Sequence, residues 1–219
     1  MLSATNTIVL DLDGPLLDGM FRHYRCYSDI LADLGRQPVP VDIYWKMKRD
    51  RVSRRTLLEL TDSLPFYDDF LGMWLQRIEL KEYLSLDRIQ NGVKDILAAW
   101  KDDKKRLILA TMRNHSENLF WQLNSFGLAG YFDEVVVIGS SGKGKASEVA
   151  PFLAKTDLKQ ALWIGDTEMD VVAAKELGMK ICALKCGLRN EAYLSSLSPD
   201  FLEDDIYSFY ESWKEDHAG

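Results

Sequence analysis

The sequence has few cysteines, no excess of positive charge and no long hydrophobic run. Its three cysteines, Cys26, Cys182 and Cys186, cannot all pair and lack the spacing of zinc ligands, so we expect free thiols in a reducing compartment. The net charge of −7 indicates no general affinity for nucleic acid or for an anionic membrane. We therefore expect neither of these among its partners.

The chain also lacks the sequence signals of export and of membrane insertion. Residues 1–7 contain no basic region followed by an apolar stretch, which is the pattern of a signal peptide. No apolar run approaches the ~20 residues that a transmembrane helix requires. These observations predict a cytoplasmic protein.

Hydrophobic residues make up 47% and charged residues 28% of the 219 residues, which is typical of an ordinary globular protein. Five short apolar runs have the composition of buried parallel strands. They are residues 7–10, 106–110, 134–138, 161–164 and 180–184. Helical patterns separate the last four runs, and such alternation predicts an α/β fold, a Rossmann-like, doubly wound parallel sheet with helices on both faces.

The alternation of strands and helices stops between the first strand and Gly92. From about Asp18 to Asp87 the sequence has several helical stripes and no comparable strand. This pattern predicts a helical cap domain, residues 18–87, inserted after the first strand and lying over the active edge of the sheet. Residues 1–17 and 88–219 would then form a discontinuous α/β core domain.

Polar residues follow the first predicted strand, at the edge where parallel sheets bind their ligands. Asp11 and Asp13 flank Leu12 and precede Gly14, so both carboxylates can turn into one site while Leu12 returns to the core. One carboxylate would serve as a nucleophile and the other as a general acid and base, and together they would attract a hard cation such as Mg²⁺. The alternative is a simple strand-to-turn junction, where Asp and Gly are common.

Three later strand ends carry further polar groups. Thr111 and the backbone N–H groups after it could bind phosphate oxygens, although by itself the motif favours Thr111 or Asn114 as a cap of the next helix. Lys143 or Lys145 could neutralise anionic charge, or both could be solvated lysines in a glycine-rich loop. Asp166 would bind a metal ion and Asp170, one helical turn further on, would support the site, unless both only cap a helix N-terminus.

With these four strand ends in this order, the sequence resembles the haloacid dehalogenase superfamily, specifically its capped branch of phosphoglycolate phosphatases and β-phosphoglucomutases. The resemblance covers nearly the whole chain, and residues 165–179 are its most specific match. It implies Asp11 as the nucleophile, Asp13 as the acid and base, and Thr111 as the second motif's hydroxyl. It also implies Mg²⁺ bound by Asp11, by the main-chain carbonyl of Asp13 and by Asp166.

Two departures from the family pattern affect these expectations. Pro15 stands where the family usually has Thr or Val, which removes a backbone donor but keeps both carboxylates. The family's Lys-Pro-x-Pro signature is missing, so the catalytic lysine is either Lys145 or Lys143, and we favour Lys145. Asp13 argues against a dehalogenase, because dehalogenases of this type lack a carboxylate at that position.

The resemblance implies a Mg²⁺-dependent phosphatase that hydrolyses a small phosphate monoester through an aspartyl-phosphate. A sugar-phosphate mutase is the alternative, because four residues fall near positions which that branch uses to bind substrate: Arg113, Asn114, His23 and Arg54. A catalytically silent binding protein on the same fold is a third possibility. The sequence indicates neither the identity of the substrate nor the oligomeric state.

Overall fold

The computed structural model describes residues 5–139 and 144–215 of the chain. Eight strands lie within these residues: β1 (Thr7–Leu10), β2 (Leu17–Asp18), β3 (Arg88–Ile89), β4 (Arg106–Met112), β5 (Glu134–Ile138), β6 (Ala161–Gly165), β7 (Lys180–Leu184) and β8 (Phe201–Glu203). The α-helices in the same part of the chain are α1 (Met20–Asp33), α2 (Val41–Arg49), α3 (Arg54–Glu59), α4 (Tyr67–Arg77), α5 (Lys81–Leu84), α6 (Val93–Asp102), α7 (Ser116–Ser125), α8 (Lys145–Val149), α9 (Glu168–Leu177), α10 (Glu191–Ser196) and α11 (Ile206–Glu215).

Six of the strands form one parallel sheet in the order β5-β4-β1-β6-β7-β8. β1 lies inside the sheet, with Leu10 opposite both Leu109 of β4 and Ile164 of β6. The carboxyl ends of these three strands therefore meet at one edge of the sheet. All five predicted strands are present, and the α/β fold class is confirmed. The sequence analysis missed β8, since three residues are too few to form a recognisable apolar run.

Alternation of side chains along the strands separates two hydrophobic cores. Ile8 and Leu10 of β1 belong to the cluster that includes buried residues of α6, α7 and α11. Val9, between them, belongs to the cluster that includes buried residues of α8, α9 and α10. The two faces of the sheet are thus both covered by helices, which explains why its strands read as continuous apolar runs.

A third hydrophobic cluster lies in helices α1 to α5, the cap helices, and in the segments that join them. It includes Tyr27, Ile30, Leu58 and Phe70, and none of its members belongs to either sheet cluster. Two chain segments link the cap helices to the sheet, and there Leu17 of β2 pairs with Ile89 of β3 in an antiparallel ladder. The separate core supports the predicted domain division at residues 18 and 87, which stays a prediction.

The end of α2 contacts the loop after β7 through hydrogen bonds between backbone groups and through the side chain of Arg49. The N–H of Asn190 donates to the carbonyl of Arg49 at 3.2 Å. The Arg49 guanidinium donates to the carbonyl of Lys185 at 2.6 Å. These contacts hold the cap helices against the carboxyl edge of the sheet. No helix in residues 5–139 and 144–215 combines the length and apolarity of a membrane span.

Candidate active site

Lys145 and three aspartates form a buried charged cluster at the carboxyl edge of the sheet. The Lys145 Nζ atom lies 2.7 Å from Oδ2 of Asp11, directly after β1, and 2.7 Å from Oδ1 of Asp170, in α9. Lys145 is the first residue of α8. Lys143, the other predicted candidate, lies outside the described residues. Burial opposes the charge of Lys145, but Asp11 and Asp170 hold its pKa above the ordinary value.

Asp170 is positioned by the helix start on which it lies. Thr167 is the N-cap residue of α9, and its N–H and hydroxyl both donate to Oδ2 of Asp170 in a capping box. The indole N–H of Trp163 donates to Oδ1 at 3.1 Å, beside Lys145. Asp170 therefore has both of the roles expected from the sequence. Its Oδ2 atom caps α9, and its Oδ1 atom accepts a hydrogen bond from Lys145.

Asp166 lies between two glycines with no room for a side chain on either. A Cβ atom on Gly14 would lie 2.3 Å from Cγ of Asp166, and one on Gly187 would lie 2.0 Å from its Oδ2. Gly14 also has φ of +96°, which disfavours any other residue. The backbone can thus approach the carboxylate closely, and the N–H of Leu188 donates to Oδ2. Sequence analysis selected Gly14 but missed Gly187.

The aspartates offer a donor set that suits a hard divalent cation. One carboxylate oxygen from each of Asp11, Asp166 and Asp170 lies within 4.8 Å of the others. Oδ1 of Asp166 is buried without a hydrogen-bond partner among the described residues, and such an orphaned oxygen needs a cation or a proton. The oxygens of Asp170 already accept from Lys145, Trp163 and Thr167, so Asp11 and Asp166 have the more available oxygens.

Burial raises the pKa values of two of these carboxylates, Asp11 and Asp166. Burial raises the pKa of Asp11 to about 7, although the charge of Lys145 acts in the opposite direction. Burial, followed by the charges of Asp11 and Asp170, raises the pKa of Asp166 well above its ordinary value. One lysine thus fails to balance three buried carboxylates, and an additional positive charge would stabilise their ionised forms.

Asp13 is held in a different way, by two arginines. Arg113 donates from both terminal nitrogens, one to each oxygen of Asp13. Arg22, a buried residue of α1, donates to Oδ1 at 2.7 Å and lies 3.1 Å from Oδ1 of Asp87. Burial favours the neutral form of Asp13, but Arg113 and Arg22 outweigh it and hold the pKa of Asp13 far below its usual range. In this arrangement Asp13 is a carboxylate.

A cavity of about 340 Å³, the active-site cavity, adjoins both charged groups. The hydroxyl of Thr111 is buried there and has no hydrogen-bond partner within the described part of the chain. Seven predicted site residues line this cavity: Asp11, Asp13, His23, Thr111, Arg113, Asn114 and Lys145. Asp170 and Asp166 lie behind them, in contact with the lining residues Lys145 and Leu188. Trp74 and Ile78 of the cap region close its other side.

Two of the predicted substrate-binding residues, His23 and Arg54, lie against aromatic side chains of the cap region. His23 of α1 lies against the rings of Trp45 and Trp74, and burial lowers its pKa well below the ordinary value, so its ring is neutral. Arg54 does not line the active-site cavity. Its guanidinium lies over the rings of Phe70 and Trp74 inside the cap region.

Glu79 of the cap region contacts the second strand end, which the sequence did not indicate. Its carboxylate accepts from the N–H groups of Asn114 and His115 at 2.9–3.0 Å. His115 is the N-cap residue of α7. Arg22 and Glu79 were missed because nothing in their sequence surroundings distinguishes them from surface charges.

Comparisons with known proteins agree with this architecture. A family model described as haloacid dehalogenase-like hydrolase matches residues 5–178. The phosphoglycolate phosphatase of Synechococcus elongatus is 26% identical over 198 residues, which cover 89% of this chain and 91% of that protein.

Solved structures extend the likeness to the fold. A haloacid dehalogenase-like hydrolase from Streptococcus pneumoniae matches with a TM-score of 0.74 at 17% identity, covering 96% of this chain and 99% of that one. A predicted phosphoglycolate phosphatase from Haemophilus somnus matches with a TM-score of 0.71 at 22% identity, covering 95% and 97%.

The chain therefore belongs to the haloacid dehalogenase-like hydrolase family, since the family model covers most of its length. The family resemblance expected from the sequence is confirmed, and so is the enzyme class, a hydrolase of the phosphatase type.

Proposed function

We propose that the chain is a Mg²⁺-dependent phosphatase that hydrolyses a small phosphorylated metabolite through an aspartyl-phosphate on Asp11. The observation that carries this proposal is the pairing of Asp11 with Lys145 at 2.7 Å beside the orphaned oxygen of Asp166. A nucleophilic carboxylate, a cation held beside it and an available metal ligand in one cluster are what phosphoryl transfer requires.

The first step would be attack by the Asp11 carboxylate on the phosphorus. A bond forms between a carboxylate oxygen and phosphorus while the bond from phosphorus to the leaving oxygen breaks. Lys145 and the Leu12 N–H both donate to the Asp11 carboxylate, so they hold it in one orientation. Thr111 would donate its unpartnered hydroxyl to a phosphate oxygen.

Asp13 would move the proton in both steps. It would protonate the leaving oxygen of the alcohol, then take a proton from the water that attacks the phosphorus and releases Asp11 and inorganic phosphate. Its ion pairs with Arg113 and Arg22 oppose protonation. Arg113 lines the active-site cavity, and a phosphate dianion would compete for its two donors. Substrate binding would therefore free Asp13 for proton transfer.

Mg²⁺ would be bound by Asp11 and Asp166, with the main-chain carbonyl of Asp13 as the third predicted ligand. When bound, the ion would neutralise negative charge on the transferring phosphoryl group. The expected partner is a small phosphate monoester, and the cap helices above the site would exclude water from it. A cytoplasmic location also remains part of this proposal.

Replacing Asp11 by Asn tests the nucleophile. We expect the Asp11→Asn variant to lose Mg²⁺-dependent hydrolysis of p-nitrophenyl phosphate, because an amide cannot form the acyl phosphate. Asp102→Asn, at an exposed residue of α6, is the matched control and should keep wild-type turnover. Sustained hydrolysis by a folded Asp11→Asn protein would reject the assignment of the nucleophile.

A thermal-unfolding experiment tests the metal site without reference to turnover. Mg²⁺ should raise the melting temperature of the wild-type protein, because a ligand that binds only the folded state stabilises it. The Asp166→Asn variant should lack this increase, whereas Asp102→Asn should retain it. An equal Mg²⁺ effect in all three proteins would exclude Asp166 as a ligand.

The mutase alternative predicts a different product from the same intermediate. Incubation with a hexose 1-phosphate and analysis of the products separates the two reactions. A phosphatase releases inorganic phosphate and free sugar. A hexose 6-phosphate formed without inorganic phosphate would overturn the proposed hydrolysis in favour of the mutase.

A further inference from the structure

Arg22 and Asp87 form a buried ion pair near the two chain segments that link the cap helices to the sheet. Arg22 lies in the first turn of α1, and Asp87 directly precedes β3. Their side chains are 1% and 0% exposed, and Nε of Arg22 lies 3.1 Å from Oδ1 of Asp87. Two charges removed from water this completely are costly even when they are paired, so stability alone does not explain the pair.

The other end of Arg22 contacts the proposed acid and base. Its Nη2 atom donates to Oδ1 of Asp13 at 2.7 Å. One guanidinium therefore connects Asp13, just after β1, with Asp87 at the far end of the cap region. Because the guanidinium is planar and rigid, a partner that fixes its Nε side also fixes the direction of its Nη2 donor.

Asp87 is in turn held by α7, the helix that follows Thr111. The side-chain amide of Gln122 donates to Oδ2 of Asp87 at 2.7 Å and to the carbonyl of Leu84 at 3.0 Å. Gln122 is itself fully buried. One oxygen of Asp87 thus faces Arg22, and the other is fixed by a helix that packs on the sheet.

The backbone at Gly19 lies close against the same ion pair. A Cβ atom on Gly19 would lie 3.0 Å from Nη2 of Arg22 and 3.5 Å from Oδ1 of Asp87. The guanidinium therefore has little room to turn away from Asp13.

The two arginines that hold Asp13 differ in their other contacts. Arg113 donates to both oxygens of Asp13, and in the proposed mechanism a phosphate competes for these donors. Arg22 donates to Oδ1 of Asp13, and its pairing with Asp87 opposes a turn toward the phosphate. When a phosphate draws Arg113 away, Arg22 would still orient the carboxylate of Asp13 while Oδ2 becomes available for the proton.

We propose that Asp87 is a positioning residue for the proton transfers of Asp13 and that it acts through Arg22. Asp87 fixes the guanidinium, and the guanidinium fixes the carboxylate that protonates the leaving oxygen. The inference rests on the proposed phosphatase function, because it requires Asp13 as the acid. It assigns a role in the reaction to a residue at the end of the cap region.

Esters with different leaving groups separate positioning from a merely structural role. An alkoxide needs a proton as it leaves, whereas 2,4-dinitrophenolate leaves without one, so only the alkyl ester requires the acid in this step. The quantity to measure is kcat/KM, because it includes no step after the departure of the alcohol. The alkyl ester is the one that the wild-type protein hydrolyses fastest in a panel of alkyl phosphates.

Both esters would be assayed with Mg²⁺ at a pH where Asp87 is ionised. Burial raises the pKa of Asp87 to about 7, although the charge of Arg22 acts in the opposite direction. At about pH 8 its side chain is therefore mainly a carboxylate.

We expect Asp87→Asn to lower kcat/KM for the alkyl ester by about 10- to 100-fold, because a misplaced acid loses much of its effect. The value for 2,4-dinitrophenyl phosphate should change by less than about threefold, since that ester does not need the acid. Asp13→Asn should show the same selectivity with a larger loss for the alkyl ester.

Two controls exclude effects of stability and of charge. Leu97→Ala, at a buried residue of α6, destabilises the core without touching the ion pair. Asp102→Asn, at an exposed residue of α6, removes one carboxylate. Both variants should keep the wild-type ratio of the two kcat/KM values.

If Asp87→Asn does not fold, Gln122→Met takes its place. This variant keeps the charges of Arg22 and Asp87 and a similar side-chain volume, but it removes the donor that fixes Asp87. It should lower the ratio of the alkyl to the dinitrophenyl value by about threefold or more.

The outcomes separate this inference from the proposed function. A wild-type ratio in Asp87→Asn, or in Gln122→Met where that variant is used, would reject the positioning role and leave the phosphatase proposal standing. A wild-type protein that hydrolyses dinitrophenyl phosphate but no alkyl phosphate would also reject it. Absence of Mg²⁺-dependent hydrolysis of every ester would reject both proposals.

Discussion

Arg113 holds the carboxylate of Asp13 in a two-pronged ion pair, with one terminal nitrogen donating to each oxygen. The two residues lie 100 positions apart in the sequence, after the first and the fourth strand. Arg113 also lines the active-site cavity. The side chain that restrains Asp13 therefore also faces the cavity in which we propose that the phosphate binds.

The Arg113→Lys variant tests whether this geometry matters. A lysine keeps the charge but cannot form two parallel hydrogen bonds with a carboxylate or a phosphate. We expect kcat/KM for p-nitrophenyl phosphate to fall on the order of tenfold, or more. Steady-state kinetics would measure it, with Arg25→Lys, an exposed residue of α1, as the control. Values within twofold of the wild type would contradict a role for the paired geometry.

Substitution by Met should have opposite effects on activity at Lys145 and at Lys143. Lys145→Met leaves three buried carboxylates without their cation, so we expect a loss of at least 100-fold in kcat/KM. Without Mg²⁺ we also expect about 3 kcal/mol less stability, because an unpaired buried charge is costly. Denaturant unfolding measures that change.

Lys143→Met and Lys155→Met, the latter at an exposed residue, complete the comparison of lysines. We expect both variants to hydrolyse p-nitrophenyl phosphate at near wild-type rates. If instead Lys143→Met were inactive and Lys145→Met active, the catalytic lysine would have to be reassigned to Lys143.

Glu79 links the cap region to the start of α7. In the Glu79→Gln variant, the N–H groups of Asn114 and His115 lose a charged acceptor, and the amide places a donor among donors. We expect a loss of about 1–3 kcal/mol in the free energy of unfolding. Glu82→Gln, at an exposed neighbour, should change it by less than about 0.5 kcal/mol. Equal stability of the two variants in denaturant titrations would show that the Glu79 contacts contribute nothing.

The sheet and the cluster around Asp11 were predictable because their signals are local. An apolar run followed at once by Asp, Thr or Gly-Asp marks the carboxyl end of a buried strand, and parallel strands bring those ends together. Asp11, Thr111 and Asp166 were selected in this way, whereas the sequence left Lys145 and Lys143 as alternatives in a glycine-rich loop. The capping box at Asp170 was equally local, since it needs only Thr167 three residues before it.

The contacts made by cap residues were not predictable from the same signals. Arg22 and Glu79 bind groups that are close in space but distant in sequence, and a charged residue on a helix normally faces water. β8 was missed because its three residues are half-buried and too few to show a period.

If Asp166 binds the metal ion as proposed, a single methyl group on Gly14 or Gly187 would disable the enzyme by displacing that carboxylate, although no ionisable residue is replaced. Alanine at either glycine would occupy space that the carboxylate needs. Such a protein would keep its full complement of ionisable groups, including Arg113. Such an inactive variant could be crystallised with an intact phosphate ester instead of a non-hydrolysable analogue.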